Sequence, residues 1–161
     1  MKVLVIGFTT DKGQKVSEFL INRGAVVFVA DNRVGQSVRE IKGISRIFTL
    51  NPRHRDSMWL MLEMSKPDVL IYCASNGNTL YGDYSVFLNA LLVAAKAGVS
   101  KIVLIINKEI KDMPITIAEV ETIAMRHTIR IVAGEKVFEW MVVYPQENLL
   151  KQVKRFLFST V

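Results

Sequence analysis

Short apolar runs alternate with helix-period segments along the whole chain, and this alternation limits the fold more than any other feature. Val3-Leu4-Val5-Ile6 reads as a first strand. Lys12 to Arg23 follows as a helix, with Val16, Phe19 and Leu20 at helical spacing and Gly24 as its stop. Val26 to Ala30 is a second strand, ending at Asp31. A short helix is expected over Gly35 to Lys42, and a third strand over Arg46 to Leu50. Asp56 to Met64 is helical, with Asp56 as N-cap and Lys66-Pro67 ending it. Asp68 to Tyr72 is strand four, Ser85 to Ala97 a strongly apolar helix stopped by Gly98, and Ile102 to Ile106 strand five. Pro114 opens a helix running to about Arg126. Ile129 to Val132 is strand six, Val137 to Tyr144 a seventh extended segment, and Gln146 to Phe158 a closing helix.

Strands apolar on both faces need cover on both faces. The pattern therefore predicts an α/β chain with a mostly parallel, doubly wound sheet between two helix layers. The expected architecture is a three-layer α/β/α Rossmann fold, strand order 3-2-1-4-5-6, forming a single domain over 1–161. No linker, repeat or low-complexity tract divides it.

Composition narrows the partners. None of the apolar runs reaches the ~18 residues needed to cross a bilayer. The start MKVLVIG meets Asp11 and Lys12 too soon for a signal peptide, so the expected location is the cytoplasm. One cysteine, Cys73, excludes an internal disulfide, and His54 and His127 share no metal-ligand spacing, so no metal is expected. The net charge of +6 is spread along the chain, with small clusters at Arg53/His54/Arg55 and Lys151/Lys154/Arg155. These read as solvated faces; no nucleic-acid motif accompanies them, and nucleic acid is not an expected partner.

The first turn carries the clearest chemistry. Gly7 follows strand one, Gly13 lies six residues on at a helix start, and Asp31 ends strand two, 24 residues after Gly7. A dinucleotide needs that arrangement: a tight turn, backbone N–H groups at a helix N-terminus facing the pyrophosphate, and an acid to accept from the adenosine ribose. The middle glycine is missing, with Thr10 in its place. Thr9 and Thr10 could donate to phosphate, Asp11 would repel it by about 1 kcal/mol at 4 Å in water, and Lys12 and Lys15 would offset that. The expectation is weaker binding than an intact loop gives. Asp31 favours NAD over NADP, although Arg33 could face a 2′-phosphate.

Several pieces, in order, resemble the extended short-chain dehydrogenase/reductase family, the NAD-dependent sugar-nucleotide epimerases and dehydratases. VLVIGFTTDKG is similar to that family's VLVTGATGFIG, with Ile6 for Thr and Thr10 for Gly. VVFVADNR resembles its strand two, with Asp31 and Asn32 matching. PDVLIYCAS resembles its strand four, after which backbone lies along the cofactor, here at Ala74 and Ser75. LLVAAKAGVSKIVLI resembles its helix and strand five. The resemblance spans about residues 2 to 107. It implies a dinucleotide site built from Gly7, Thr9, Thr10, Lys12, Gly13, Asp31, Asn32, Arg33, Ala74 and Ser75.

The family's catalytic half has no counterpart. Its Tyr-x-x-x-Lys pair lets a phenolate accept a proton as hydride leaves. The residues four after this chain's tyrosines are Asn76, Ser85, Leu88 and Asn148. The helix that should carry the pair reads PITIAEVETIAMRH, and the family's Ser or Thr after strand five is replaced at Asn107 and Lys108. Within 161 residues no sequence remains for a separate sugar-nucleotide lobe. No catalytic residue is assigned.

The other polar clusters carry less. Cys73 reads as a small buried hydrophobe without an activating base. Ser75-Asn76-Gly77-Asn78 and Asn51 to Asp56 form loops on the ligand-binding edge of the sheet, where Arg53 or Arg55 could reach a phosphate. Glu119 and Glu121 point to different sides of their helix.

The function expected is a degenerate NAD-type Rossmann domain serving as a sensor, regulator or accessory subunit without the family's standard catalysis. The alternatives are an oxidoreductase or epimerase using relocated residues, with Lys108, Tyr81 or Tyr84 near the cofactor, and an interaction module that binds no nucleotide. Helices 85–97 and 114–126 are apolar on more than one side. In the resembling family such helices pair with their copies, so a homodimer is expected.

Overall fold

The computed structural model describes residues 1–31, 41–49, 51, 54–73, 90, 93, 94, 96–105, 139–143 and 148–159. Along these the chain runs β1 (Lys2–Ile6), α1 (Asp11–Ile21), β2 (Val26–Asp31), β3 (Ile44–Thr49), α2 (Arg55–Ser65), β4 (Val69–Cys73), β5 (Lys101–Ile105), β6 (Glu139–Val143) and α3 (Leu149–Phe158). Ala90, Val93, Ala94 and Lys96 are also helical. The strands form one sheet in the order β3-β2-β1-β4-β5-β6. Every pairing is parallel, with Val3 opposite both Val27 and Val69.

Alternation along each strand distributes the core. Val3 and Val5 point to one face, where Val16 and Leu20 of α1 and Val153 and Leu157 of α3 join them. Leu4 and Ile6 point to the other, among Met58, Met61 and Leu62 of α2 and Ala90, Val93 and Ala94. Residues 3–6 have no exposed surface. A strand buried on both faces reads as a continuous apolar run because neither face can carry a polar side chain without a partner. The result is a Rossmann-like sheet with helices on both sides.

The helix ends follow local chemistry. Gly24 closes α1, with its N–H on the Ile21 carbonyl at 2.9 Å and the Ala25 N–H on Leu20 at 3.1 Å. Lys66 ends α2 at φ 42° and ψ 60°, just ahead of Pro67. Asp56 is not the cap of that helix. His54 holds the cap position without a side-chain bond, and Asp56 lies in the first turn, where its charge still complements the helix dipole. Asn148 caps α3, accepting from the Lys151 N–H at 3.3 Å.

The sequence reading and the structure differ at one strand. The sixth sheet position is held by Glu139–Val143, inside the segment read as the seventh. The strand read over 129–132 and the helix over 114–126 lie outside the described residues, as does most of the helix over 35–42, whose last two residues are not helical. Among the described residues no helix is long and apolar enough to cross a membrane.

Candidate functional site

In an order of 3-2-1-4-5-6 the chain moves outward one way from β1 and the other way from β4. The crevice where ligands of open parallel sheets bind therefore lies at the C-terminal ends of those two strands. The first turn sits there. Gly7 leaves β1 at φ +80°, and its N–H continues the ladder to the Ala30 carbonyl at 2.9 Å. A Cβ on Gly7 would fall onto the carbonyl oxygen of Cys73, at the end of β4. Glycine is thus required twice, by the left-handed backbone and by the close approach of a neighbouring strand.

Gly13 is required for a third reason. A Cβ there would lie 2.5 Å from the Gly7 carbonyl oxygen and 2.6 Å from the Phe8 Cα. The start of α1 packs directly onto the turn that precedes it. Behind this contact Phe8 is fully buried, and the buried Ser17 hydroxyl donates to the Gly13 carbonyl at 2.7 Å.

Thr10, standing where the resembling pattern has its middle glycine, caps α1. Its hydroxyl accepts from the Gly13 N–H at 3.0 Å and donates to the Gly7 carbonyl at 2.9 Å. One side chain thereby joins both outer glycines of the loop. The sequence signal for this role was present, since threonine just before a helix is a favoured N-cap.

Thr9 turns the other way. Its hydroxyl donates to Asp31 Oδ2 at 2.6 Å, and its N–H reaches the same oxygen at 3.1 Å. Asp31 has no exposed surface. The acid at the end of β2 and the loop after β1 are therefore one bonded unit.

Lys12, in the first turn of α1, is half-buried. Its charge is felt at Cys73. Burial pushes that thiol from 9.0 up to about 12, the Lys12 ammonium pulls it down in part, and the Asp31 carboxylate pushes it up further. A thiol held protonated in this way is a packing group rather than a nucleophile. Asn32, Arg33, Ala74 and Ser75 lie outside the described residues, as do Tyr81, Tyr84 and Lys108. Among the described residues no three His, Cys, Asp or Glu side chains gather as a metal ion would need.

No family model matches the chain, and no curated protein matches it by sequence. Solved structures match it in fold. The UDP-glucose 4-epimerase of Thermus thermophilus in complex with NAD is 19% identical with a TM-score of 0.64, over 88% of this chain and 54% of that one. The UDP-Glc/GlcNAc 4-epimerase of Campylobacter jejuni is 11% identical with a TM-score of 0.67, over 89% and 52%. The UDP-glucose 4-epimerase of Brucella ovis in complex with NAD is 15% identical with a TM-score of 0.65, over 89% and 51%. The chain spans about half the length of these structures. At such identities the likeness shows the fold: this chain is a Rossmann domain of the architecture these epimerases contain.

Proposed function

We propose that this chain is an NAD-type dinucleotide-binding domain that serves as a sensor, regulatory or accessory unit rather than through the proton-transfer chemistry of the family it resembles. The observation carrying the reading is the double requirement for glycine at Gly7 and Gly13. Both seats are closed to a Cβ by backbone atoms, which brings the start of α1 against the ends of β1 and β4 and beside Asp31. A helix N-terminus at a parallel sheet's switch point suits a pyrophosphate. The likeness to epimerases solved with NAD supports the same ligand. The first-turn amides of α1 would hold the phosphates, and Asp31 would face the adenosine ribose. Bound NAD would supply a hydride acceptor; the role proposed here uses only its binding.

The second reading is a module that binds no nucleotide, and it is favoured by the bonds Asp31 already makes with Thr9. Thermal-shift titration with NAD, NADH, NADP and UDP-glucose separates the two. Ligand at a hundredfold excess over Kd stabilises the folded state by about 2.7 kcal/mol. A shift with NAD, reduced more than tenfold in affinity by Asp31→Ala, is the expected result. No shift with any of the four selects the second reading.

A homodimer through 85–97 and 114–126 belongs to the same proposal. Ala90, Val93 and Ala94 are spent on the sheet. A continuous helix over 85–97 would set Leu88 and Leu92 on the opposite side.

A further inference from the structure

α3 differs from the other described helices in its charge. It holds Lys151, Lys154 and Arg155 and no acid. α1 sets Asp11 and Glu18 against Lys12 and Lys15, and α2 sets Asp56 and Glu63 against Arg55. At i, i+3, i+4 and i+7, Lys151, Lys154, Arg155 and Phe158 form one exposed stripe about 10 Å long. Val153 and Leu157 hold the opposite side of the helix in the core. Like charges at these spacings repel, and Lys151, in the first turn, also meets the positive end of the helix dipole. Among the described residues no carboxylate pairs with any of the three. Arg23 extends the stripe from the end of α1. Its exposed guanidinium lies 4.9 Å from the centre of the Phe19 ring and 5.4 Å from that of Phe158. Resting on two rings, it is held in place with its planar N–H fork left for a bidentate acceptor.

We propose that the α3 stripe and Arg23 are a docking surface for an acidic helix of a partner protein. This inference is independent of the dinucleotide reading and gives an accessory unit the class of its partner. One carboxylate takes the Arg23 fork through two parallel bonds. Others at helical spacing face Lys151, Lys154 and Arg155 with the period the stripe itself has. Phe158 decides against a nucleic acid or a bilayer. It is the one large apolar side chain exposed on α3, and a face of its ring is taken by Arg23. The ring is therefore not free to stack on a base or to enter a lipid surface. Repulsion within the stripe is relieved when carboxylates arrive, so the same charges that weaken the free chain favour the complex.

Fluorescence anisotropy at low ionic strength tests this, with a labelled alanine-based helical peptide carrying glutamates at i, i+3, i+4 and i+7. A peptide of the same composition with its glutamates spread around the helix is the control. A single-stranded oligonucleotide and phosphatidylserine vesicles are run beside them. The wild type is expected to bind the patterned peptide more tightly than the other three probes. Arg23→Lys keeps the charge and loses the fork, and should bind it about tenfold more weakly. Lys151→Glu should abolish binding yet raise Tm, because it turns two repulsive pairs into attractive ones and suits the helix dipole. No binding of the patterned peptide, or equal binding of the control, overturns the proposal. Tighter binding of the oligonucleotide or the vesicles overturns it in favour of a nucleic acid or a membrane. So does Arg23→Lys binding as the wild type does, or a lower Tm in Lys151→Glu, which would assign that lysine to the fold. Should Arg23→Lys fail to fold, Lys154→Gln and Arg155→Gln, whose side chains are exposed, are held to the same loss.

Discussion

Gly13 is the most exposed test at the scale of single residues. The atoms its Cβ would meet, the Gly7 carbonyl and the Phe8 Cα, belong to backbone and have no rotamer by which to retreat. Gly13→Ala is expected to lower unfolding free energy by about 2–3 kcal/mol, as overpacking of a close-packed contact does; a urea midpoint at the wild-type value would show that the turn can yield. Cys73 offers a test in pH. The unfolded thiol loses its proton near 9.0 and the folded one only near 12. Between these values the unfolded state binds fewer protons, so this residue's contribution is intact below pH 9 and is lost as pH rises, at a slope of up to ~1.4 kcal/mol per unit. The wild type should lose stability relative to Cys73→Ala as pH rises from about 9 toward 12, measured by urea unfolding at each pH. A constant difference would mean the thiol is not enclosed. Gly7, Gly13 and Asp31 were legible in the sequence because their spacing is set by one strand, one turn and one helix. The bond from Thr9 to Asp31 was not. It crosses 22 residues, and the same hydroxyl satisfies a reading that sends it toward phosphate.

Elements join the sheet through contacts that sequence periodicity only partly reveals. The strands β1, β2, β4 and β5 were legible because burial on both faces leaves an unbroken apolar run. β6 was misplaced because Glu139 and Trp140 interrupt such a run, whereas Ile129 to Val132 reads cleanly; which segment lies beside β5 is decided by pairing across more than thirty residues. α3 shows how one residue fixes an element. Lys101, at the start of β5, donates from Nζ to the Phe156 carbonyl at 3.1 Å and lies 5.1 Å from the centre of that ring. A cation near a helix C-terminus also meets the negative end of the helix dipole. Lys101→Met keeps the stem and removes the charge; it is expected to cost about 1–2 kcal/mol, read as a drop of roughly 2–8 °C in Tm. An unchanged Tm would assign the docking of α3 to its apolar contacts, Val153 and Leu157 foremost. In the same last turn Phe158 shares the Arg23 guanidinium with Phe19, at 5.4 and 4.9 Å, which ties α3 to the end of α1.

For the molecule as a whole, the proposed dimer makes the sharpest prediction. Light scattering at micromolar concentration should give about twice the mass of one chain, and replacing Leu88 and Leu92 by Glu should give monomer or insoluble protein, since an interface cannot enclose unpaired carboxylates. A wild-type monomer at high micromolar concentration would show that those positions are covered within one chain. The sheet order carries a different consequence for how the molecule is made. β3, β2, β1 and β4 all lie within the first 73 residues, so four adjacent strands can assemble while the rest is still being synthesised. The cluster on the Val3 side is not complete at that stage, because Val153 and Leu157 arrive last among its members. A nascent chain halted on the ribosome before residue 149 would carry the central sheet with part of one apolar face uncovered. That interval is when a chaperone has most to hold, and lengthening it by slow codons before α3 should raise aggregation without altering a single native contact.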